Sequence, residues 1–254
     1  MLISVITVTK NSERTIERTV LSVASQQNVD VEHLIKDANS NDKTVMLSEA
    51  ANPKLSILIQ PDTGIYDAMN QGFFHSTGEI IGFLNSDDYY ADSNVLSDVV
   101  DVFKKTGCDF VYGDIRIFSL TGEIVRDWKT GDIGDNGLAG MHPPHPALFV
   151  KRSVLNAIKL PFDTSFKISA DIKQQLIIIN QLKHKGVYLD RTLVNMENGG
   201  ESTNSLASFY LGFKESMRAY NEVFGTGGFQ FAVMKVLSKF NGLKLIAQLK
   251  HFLR

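Results

Sequence analysis

Residues 79–90, EIIGFLNSDDYY, contain an apolar run that is followed closely by two adjacent carboxylates. The run IIGFL is typical of a buried strand, so Asp87 and Asp88 are predicted to lie at its carboxyl end. Two like charges this close repel each other and are costly to desolvate unless water, a cation or hydrogen bonds relieve them. A divalent cation held by the two carboxylates is the leading interpretation, and a solvated turn is the alternative.

A helix N-cap is a second alternative for these acids. Asp92 and Ser93 precede a predicted helix over 94–105, and acidic residues suit the first turn of a helix. An N-cap requires only one acid near residue 92. The pair at 87–88 comes earlier, where parallel α/β sheets bind their ligands.

Strand-like and helical segments alternate on both sides of this stretch, which is typical of βαβ units and a doubly wound, mostly parallel sheet. Strands are predicted over 3–9, 31–37, 55–60, 79–84, 108–118, 122–129, 187–190 and 193–197. Helices are predicted over 12–27, 43–51, 65–75, 94–105, 169–184 and from about 205 onward. The predicted fold class is therefore α/β.

Composition limits the classes of protein that the chain can represent. With 254 residues, 43% hydrophobic and 21% charged, it is predicted to fold around one sizeable core. The single cysteine, Cys108, excludes an internal disulfide framework and fits a reducing compartment. No signal peptide and no membrane-spanning run is recognised, so a cytoplasmic protein is expected.

The C-terminal segment has an unusual charge distribution. From Val223 to Arg254 there is no acidic residue, whereas Lys235, Lys239, Lys244, Lys250 and Arg254 are basic. Its apolar residues include Phe240, Leu243, Ile246, Leu249 and Leu253. A helix packed on the domain is one interpretation. We expect instead a peripheral contact of residues 229–254 with anionic lipid, on the inner face of the cytoplasmic membrane, and no nucleic-acid partner.

The loop KDANSNDKT at 36–44 follows the second predicted strand. Asp37 at the strand end, with the Asn, Ser and Asp residues after it, could hydrogen-bond a base or a ribose. A calcium loop is excluded because Asp42 and Ser48 stand where glycine and glutamate are needed. A Rossmann site is excluded because the first turn, TKNSE, lacks glycine. An ordinary Asx-rich turn remains the alternative.

Two further segments carry polar residues that are weak signals alone. In DTGIYDAMNQGF at 62–73, Asp67 and Asn70 share a helix face, which is consistent with a ligand pocket or with solvation. In FKISADIKQQL at 166–176, Asp171 begins a helix and by itself indicates only a first-turn acid.

The ordered set of these motifs resembles the inverting, nucleotide-sugar-dependent family-2 glycosyltransferases. SVITVTKNSERTIERTVLSVASQQ is similar to their opening strand and helix, DANSNDKT to their DGGSTDGT loop, and GIYDAMNQGF to the segment before the metal motif. FLNSDD resembles their DxD element and SADIKQQL their base motif. The similarity covers roughly residues 1–205 and is closest to non-processive bacterial enzymes that build O-antigen, capsule or colanic-acid-like polysaccharide.

This resemblance implies a fold, a domain division and a reaction. The fold would be GT-A, with a glycosyltransferase domain over 1–204 and a helical segment over 205–254. The donor would be a nucleotide sugar, with UDP as the expected nucleotide, and the acceptor a glycan or a polyprenyl-diphosphate-linked sugar. The expected cofactor is Mn²⁺ or Mg²⁺.

The resemblance also implies roles for individual residues. Asp37 would bind the base, Thr9 and Asn11 would lie near the nucleotide, and Asp67 and Asn70 would face the donor. Asp87 and Asp88 would meet the cation and the diphosphate, with Asp88 as the more direct metal ligand. Asp171 would be the general base. Independently of the resemblance, the spacing of His142 and His145 on a proline-rich loop does not suit zinc. We expect these histidines on an acceptor-side loop that the prolines stiffen.

The chain departs from the family pattern at three points. Asn85 stands where many members have the first Asp of DxD, so the acidic pair at 87–88 would carry the metal. Ala170 replaces the commoner Glu before the base. The QxxRW motif of processive synthases does not follow Asp171, which argues against polymerisation.

Two functions of other classes compete with this one. A glycosidase also uses two carboxylates, but both flank the scissile bond and no metal is needed. A catalytically silent module that binds nucleotide or carbohydrate, and docks on a membrane or partner, would not need a base such as Asp171. The combination of residues therefore favours a transferase.

Overall fold

A computed structural model describes residues 1–134, 137–198 and 206–240 of the chain. These residues divide into two units. The first comprises residues 1–132, 143–167 and 184–198 and contains the sheet, and the second comprises the remaining described residues and is helical. The predicted division at residues 204 and 205 falls outside the described residues and stays a prediction.

The N-terminal half of the first unit is a parallel sheet with the strand order β3-β2-β1-β4. The strands are β1 (Leu2–Thr9), β2 (Asp30–Asp37), β3 (Ser56–Ile59) and β4 (Ile80–Phe83). The connecting helices are α1 (Ile16–Ala24), α2 (Thr44–Ala51) and α3 (Ile65–His75). The alternation predicted from periodicity is thus confirmed here, with element boundaries shifted by up to four residues.

The rest of the sheet is mixed. Strand β8 (Leu148–Lys151) lies between β4 and β6 (Phe110–Phe118) and is antiparallel to both. Strand β9 (Gly186–Glu197) is parallel to β6, while β5 (Tyr89–Tyr90) and β7 (Ile124–Trp128) are antiparallel additions to β9 and β6. The remaining helices of this unit are α4 (Val95–Thr106) and α5 (Arg152–Asn156). The predicted mostly parallel sheet is therefore parallel throughout its N-terminal half and mixed in the rest, where β6 and β9 are the parallel pair.

Helix α3 packs directly on β1. A Cβ atom added at Gly72 would lie 2.4 Å from Cγ2 of Ile6, so only glycine allows this approach. The residues of β1 from Ile3 to Thr9 are all buried, as expected for a parallel strand covered on both faces. This packing fixes α3 against β1, and α3 begins directly after the turn that follows the carboxyl end of β3.

The second unit contains three helical segments. Helix α6 (Ala170–Gln175) continues as a π-helical segment (Leu176–Gln181), and α7 (Leu206–Phe224) is followed by α8 (Gly228–Phe240). Tyr220 of α7 stacks on Phe231 of α8 with ring centroids 5.0 Å apart.

The predicted tail residues Leu243, Ile246, Leu249 and Leu253 lie outside the described residues. Within the described part of the chain, no helix is long and apolar enough to cross a membrane.

His33 of β2 predicts a pH-dependent stability. The ring is buried, its Nε2 lies 3.1 Å from Oγ1 of Thr7, and burial lowers the pKa of His33 to about 3. Below about pH 6.5 the His33 ring binds a proton in the unfolded chain but not in the folded protein. The free energy of unfolding therefore falls as the pH falls from about 6.5 toward 3. From pH 7 to pH 5 we expect this residue to lower the free energy of unfolding by about 2 kcal/mol.

Urea unfolding of wild type, His33→Gln and the exposed-site control His75→Gln at both pH values measures this contribution. We expect the change in free energy of unfolding from pH 7 to pH 5 to be smaller in His33→Gln than in the other two proteins. Equal changes in all three would contradict the prediction.

Candidate active site

The loops after β1 and β2 are joined by hydrogen bonds at the carboxyl edge of the sheet. Thr9 pairs with Asp37 in the strand register, and the amide of Ala38 donates to the carbonyl of Thr9 at 2.9 Å. Asn11, with φ of 52°, donates its amide to Oγ of Ser40 at 2.8 Å. Its side-chain Oδ1 accepts the amide of Asn41 at 2.9 Å. Asn11 therefore fixes the conformation of the 38–42 loop.

Three further contacts complete this framework. The amide of Ser12 donates to Oγ1 of Thr44 at 2.7 Å, and the amide of Glu13 donates to Oδ2 of Asp42 at 3.1 Å. Oε2 of Glu13 in turn accepts the amide of Lys43 at 3.1 Å. Glu13 and Lys43 carried no sequence signal for this contact. The two loops thus form one polar framework beside Thr9 and Asp37.

Asp37 is fully buried and shapes the loop that follows it. Its Oδ1 accepts the amide of Ser40 at 2.7 Å, and its Oδ2 accepts the Ser40 hydroxyl at 2.6 Å. This is the Asx-type turn that the sequence left open as an alternative. The base contact implied for Asp37 stays a prediction. Thr9 is also buried, and its Oγ1 has no hydrogen-bond partner among the described residues.

The acidic turn follows β4 and is built around Asp88. Asp88 is 1% exposed, and its Oδ2 accepts a hydrogen bond from Nδ2 of Asn85 at 3.1 Å. Within the described part of the chain, Oδ1 of Asp88 and Oδ1 of Asn85 are buried without a hydrogen-bond partner. Asp87 is half-buried. The two carboxylates therefore differ in access although they are neighbours in sequence.

The surroundings of this turn disfavour the simultaneous ionisation of Asp87 and Asp88 when no cation is bound. Burial raises the pKa of Asp88 well above its usual value, and the adjacent Asp87 carboxylate adds to the effect. Burial also raises the pKa of Asp87, and the charge of Glu197 acts in the same direction. Arg18 opposes the rise at both residues.

These properties fit a divalent cation. A buried carboxylate oxygen without a partner, beside a second carboxylate, is a donor set that Mg²⁺ or Mn²⁺ prefers. No group of three or more His, Cys, Asp or Glu side chains suited to a metal occurs in residues 1–134, 137–198 and 206–240. The chain would therefore supply these two carboxylates, and phosphate oxygens and water would complete the coordination, as is common for Mg²⁺.

Asp67 and Asn70 of α3 have different surroundings. Oδ2 of Asp67 accepts the amide of Thr63 at 2.9 Å, and this bond holds the pKa of Asp67 below its usual value. Asn70 is 4% exposed, and its amide group bonds both backbone groups of Phe162 at 2.8 and 3.0 Å. Asn70 thus has a structural role in holding Phe162, and its contact with the sugar nucleotide stays a prediction.

Lys36 is a buried charged residue next to Asp37 in the chain. It is fully buried in β2, forms an ion pair with Asp62, and donates to the carbonyl of Gln60 at 2.7 Å. This contact ties the end of β2 to the turn that begins α3. A lysine inside the apolar strand sequence HLIKD was a usable signal, because a buried lysine requires a partner.

Asp171 lies in the second unit, at the second position of α6, and is half-buried. Glu215 of α7 accepts the amides of Ile168 and Ser169 at its Oε2, at 2.8 and 3.0 Å. These bonds hold the start of α6, which carries Asp171. Nothing in the local sequence of α7 indicated this function of Glu215.

The two histidines belong to different units. His142 is buried in the second unit. His145 lies in the first, where its ring stacks on Phe83 with centroids 5.4 Å apart and meets Phe162 edge-on at 5.3 Å. Their acceptor-side role stays a prediction.

Comparison with known proteins identifies the family. The model of glycosyl transferase family 2 matches residues 4–139. An uncharacterized glycosyltransferase of Mycobacterium tuberculosis is 28% identical over 232 residues, covering 89% of this chain and 86% of the relative. A PGL/p-HBAD biosynthesis glycosyltransferase of Mycobacterium bovis is 29% identical over 175 residues, covering 67% of this chain and 66% of the relative.

Solved structures share the fold. S. aureus TarS in complex with UDP-GlcNAc matches with a TM-score of 0.66 and 20% identity, covering 92% of this chain and 70% of that chain. The mannosyltransferase PcManGT from Pyrobaculum calidifontis, in complex with GDP-Man and Mn²⁺, matches with a TM-score of 0.66 and 14% identity, covering 98% and 78%. These matches confirm the predicted GT-A fold. The chain therefore belongs to glycosyltransferase family 2.

Proposed function

We propose that this chain transfers a sugar from a UDP-sugar to a glycan or a lipid-diphosphate-linked acceptor in bacterial surface polysaccharide synthesis. One observation carries the proposal. The Asp37 loop and the Asp87–Asp88 turn follow β2 and β4, the two parallel neighbours of β1, and therefore lie at the same edge of the sheet. Ser12, in the loop after β1, links the two regions, because its amide donates to Oγ1 of Thr44 and its hydroxyl lies 2.8 Å from the hydroxyl of Ser86.

The solved structures support a nucleotide sugar as the donor. TarS binds UDP-GlcNAc, PcManGT binds GDP-Man and Mn²⁺, and a glucosyl-3-phosphoglycerate synthase of Mycobacterium tuberculosis binds Mg²⁺ and UDP. The polar framework of Asn11, Ser12 and Ser40 suits a nucleoside, which needs hydrogen-bond donors and acceptors on a fixed backbone.

The acidic turn is where we propose that the diphosphate and the cation bind. The bound cation would stabilise the negative charge that develops on the departing nucleoside diphosphate. The greater exposure of Asp87 makes its carboxylate the first candidate for direct contact with the cation, and the unpartnered Oδ1 of Asp88 is the second. This order reverses the one that the family resemblance implied, and mutation of each residue tests it.

Asp171 is our proposed general base. Its carboxylate would take the proton of the acceptor hydroxyl as that oxygen bonds to the anomeric carbon and the bond to the diphosphate breaks. A single displacement of this kind inverts the anomeric configuration. The half-buried position of Asp171, on a helix start held by Glu215, supports a fixed and accessible base.

Donor turnover tests the proposal directly. The full chain is incubated with a panel of UDP- and GDP-sugars and a GlcNAc-diphosphate-lipid analogue, with Mn²⁺ or with EDTA, and release of the nucleotide is measured. We expect release from one UDP-sugar, at least ~100-fold faster with Mn²⁺ than with EDTA. NMR of the product should show an inverted anomeric configuration.

The same assay separates the competing interpretations. Equal rates with Mn²⁺ and EDTA would contradict the cation role. Binding of UDP without turnover of any donor, across several acceptors, would favour the silent binding module.

The proposed lipid contact of residues 229–254 is supported by the absence of acidic residues after Glu222.

A further inference from the structure

A polar stripe lies beside the acidic turn, and its residues other than Ser12 have no role in the function described so far. The stripe consists of residues of α1 and its flanks, and its members Thr19, Ser22 and Gln26 are spaced three and four residues apart. Its members are Ser12, Arg18, Thr19, Ser22 and Gln26. Each of them forms a hydrogen bond within residues 86–96.

Thr19 makes the central contact. It is fully buried, and its hydroxyl lies 3.0 Å from the carbonyl of Ser86 and 2.7 Å from the carbonyl of Asp88. Arg18 donates to the carbonyl of Asp87, between them, at 2.9 Å. Three successive carbonyls of the acidic turn are thus bonded by two adjacent residues of α1.

The rest of the stripe extends this contact along the chain. The amide of Tyr90 donates to Oγ of Ser22 at 3.2 Å. Nε2 of Gln26 donates to the carbonyl of Asp92 at 2.7 Å, and its Oε1 accepts the amide of Leu96 at 2.9 Å. The segment that carries the two carboxylates is therefore held by side chains of one helix at both ends.

Residues 85–88 belong to no helix or strand. Backbone ladders therefore do not determine where the carboxylates of Asp87 and Asp88 point. Arg18 is itself restrained, because its guanidinium donates to Oε2 of Glu197 at 3.1 Å and lies 4.5 Å from the ring centroid of Tyr89. The turn thus depends on α1 for its conformation.

We propose that Thr19 is a positioning residue, which sets the conformation of the Asp87–Asp88 turn for the cation and the diphosphate. The inference rests on the proposed function, since it concerns the same site. Thr19 touches neither ligand and acts through the carbonyls of Ser86 and Asp88. A displacement of about 1 Å in a site of this kind can lower its efficiency about 100-fold.

The test compares Thr19→Val, which removes the hydroxyl but keeps the shape, with Thr19→Ser, which keeps the hydroxyl. Thr7→Val is the matched control, because Thr7 is equally buried and its hydroxyl lies 3.1 Å from Nε2 of the core residue His33, away from the acidic turn. Amide hydrogen exchange of residues 86–90 is measured in the protein without metal or nucleotide. UDP affinity is measured by calorimetry with and without Mn²⁺.

In Thr19→Val we expect amide exchange of residues 86–90 to be about 10-fold faster and the Mn²⁺-dependent UDP affinity about 10-fold lower. Thr19→Ser should stay within about twofold of wild type, and Thr7→Val should change neither quantity. If Thr19→Val does not fold, Arg18→Met replaces it. The Arg18 side chain is 42% exposed, so the protein should fold, and we expect both quantities to change in the same direction.

Two results would contradict the proposal in different ways. Wild type that binds no UDP or GDP, with or without Mn²⁺, would overturn the proposed function and the role of Thr19 with it. Wild type that binds UDP, with Thr19→Val indistinguishable from Thr7→Val in exchange and affinity, would overturn the role of Thr19 alone.

Discussion

Replacing Asp171 with Asn is expected to lower the turnover number about 1,000-fold while the Kd for the donor changes less than about twofold. The amide has the shape of the carboxylate but cannot accept the proton of the acceptor hydroxyl. The residue lies on a helix start held by Glu215, so the substitution should leave the local backbone unchanged. Single-turnover kinetics with saturating donor, together with calorimetry of UDP binding, measures the two quantities.

The matched control for this substitution is Asp101→Asn. Asp101 is an exposed residue of α4 that forms an ion pair with Lys105 at 3.5 Å, so its replacement should change neither turnover nor affinity. Turnover of Asp171→Asn within about threefold of wild type would exclude Asp171 as the general base.

Replacing Asp87 with Asn is expected to lower kcat/KM at least ~100-fold and to raise the Mn²⁺ concentration for half-maximal activity about 10-fold. The reason is that a neutral amide at the accessible position of the turn binds a divalent cation much more weakly than a carboxylate does. Asp88→Asn should show a smaller loss, because Asp88 is buried and already engages Asn85. Manganese titrations of donor turnover for both variants and Asp101→Asn provide the comparison.

The relative size of the two effects decides which carboxylate contacts the cation. A larger loss in Asp88→Asn would restore the assignment that the family resemblance implied. Wild-type manganese dependence in both variants would show that the acidic turn does not hold the cation. Thermal unfolding of each variant establishes that the comparison is made on folded protein.

The elements of the N-terminal half were predictable because their signals are local. Helix α3, over 65–75, has the predicted bounds. Gly64 precedes its first residue, and Gly72 allows it to pack closely on β1. Strands β1, β2 and β4 follow from apolar runs that end in polar residues. The positions of Asp37 and Asp87 at strand ends follow from the same pattern.

The second half was harder to predict because its strands pair with partners far away in sequence. Strand β8 contains only four residues, LFVK, directly after a proline-rich loop, and its local sequence does not say that it pairs with β4 and β6. The two-residue β5 exists only because it meets β9. The hydrogen bonds between Asn70 and the backbone of Phe162 were not predicted for the same reason, since the two residues are 92 positions apart.

The alternation of strands and helices in the N-terminal half, the family, and the acidic residues that are candidates for the site were all predictable from the sequence. Periodicity and motif order carry this information because they depend on neighbouring residues. Folding sets which of these acidic side chains are partly exposed, such as Asp87, and which are buried, such as Asp88. The contact of Thr19 with Asp88 joins residues 69 apart, and burial and hydrogen-bond partners of this kind exist only once the chain has folded.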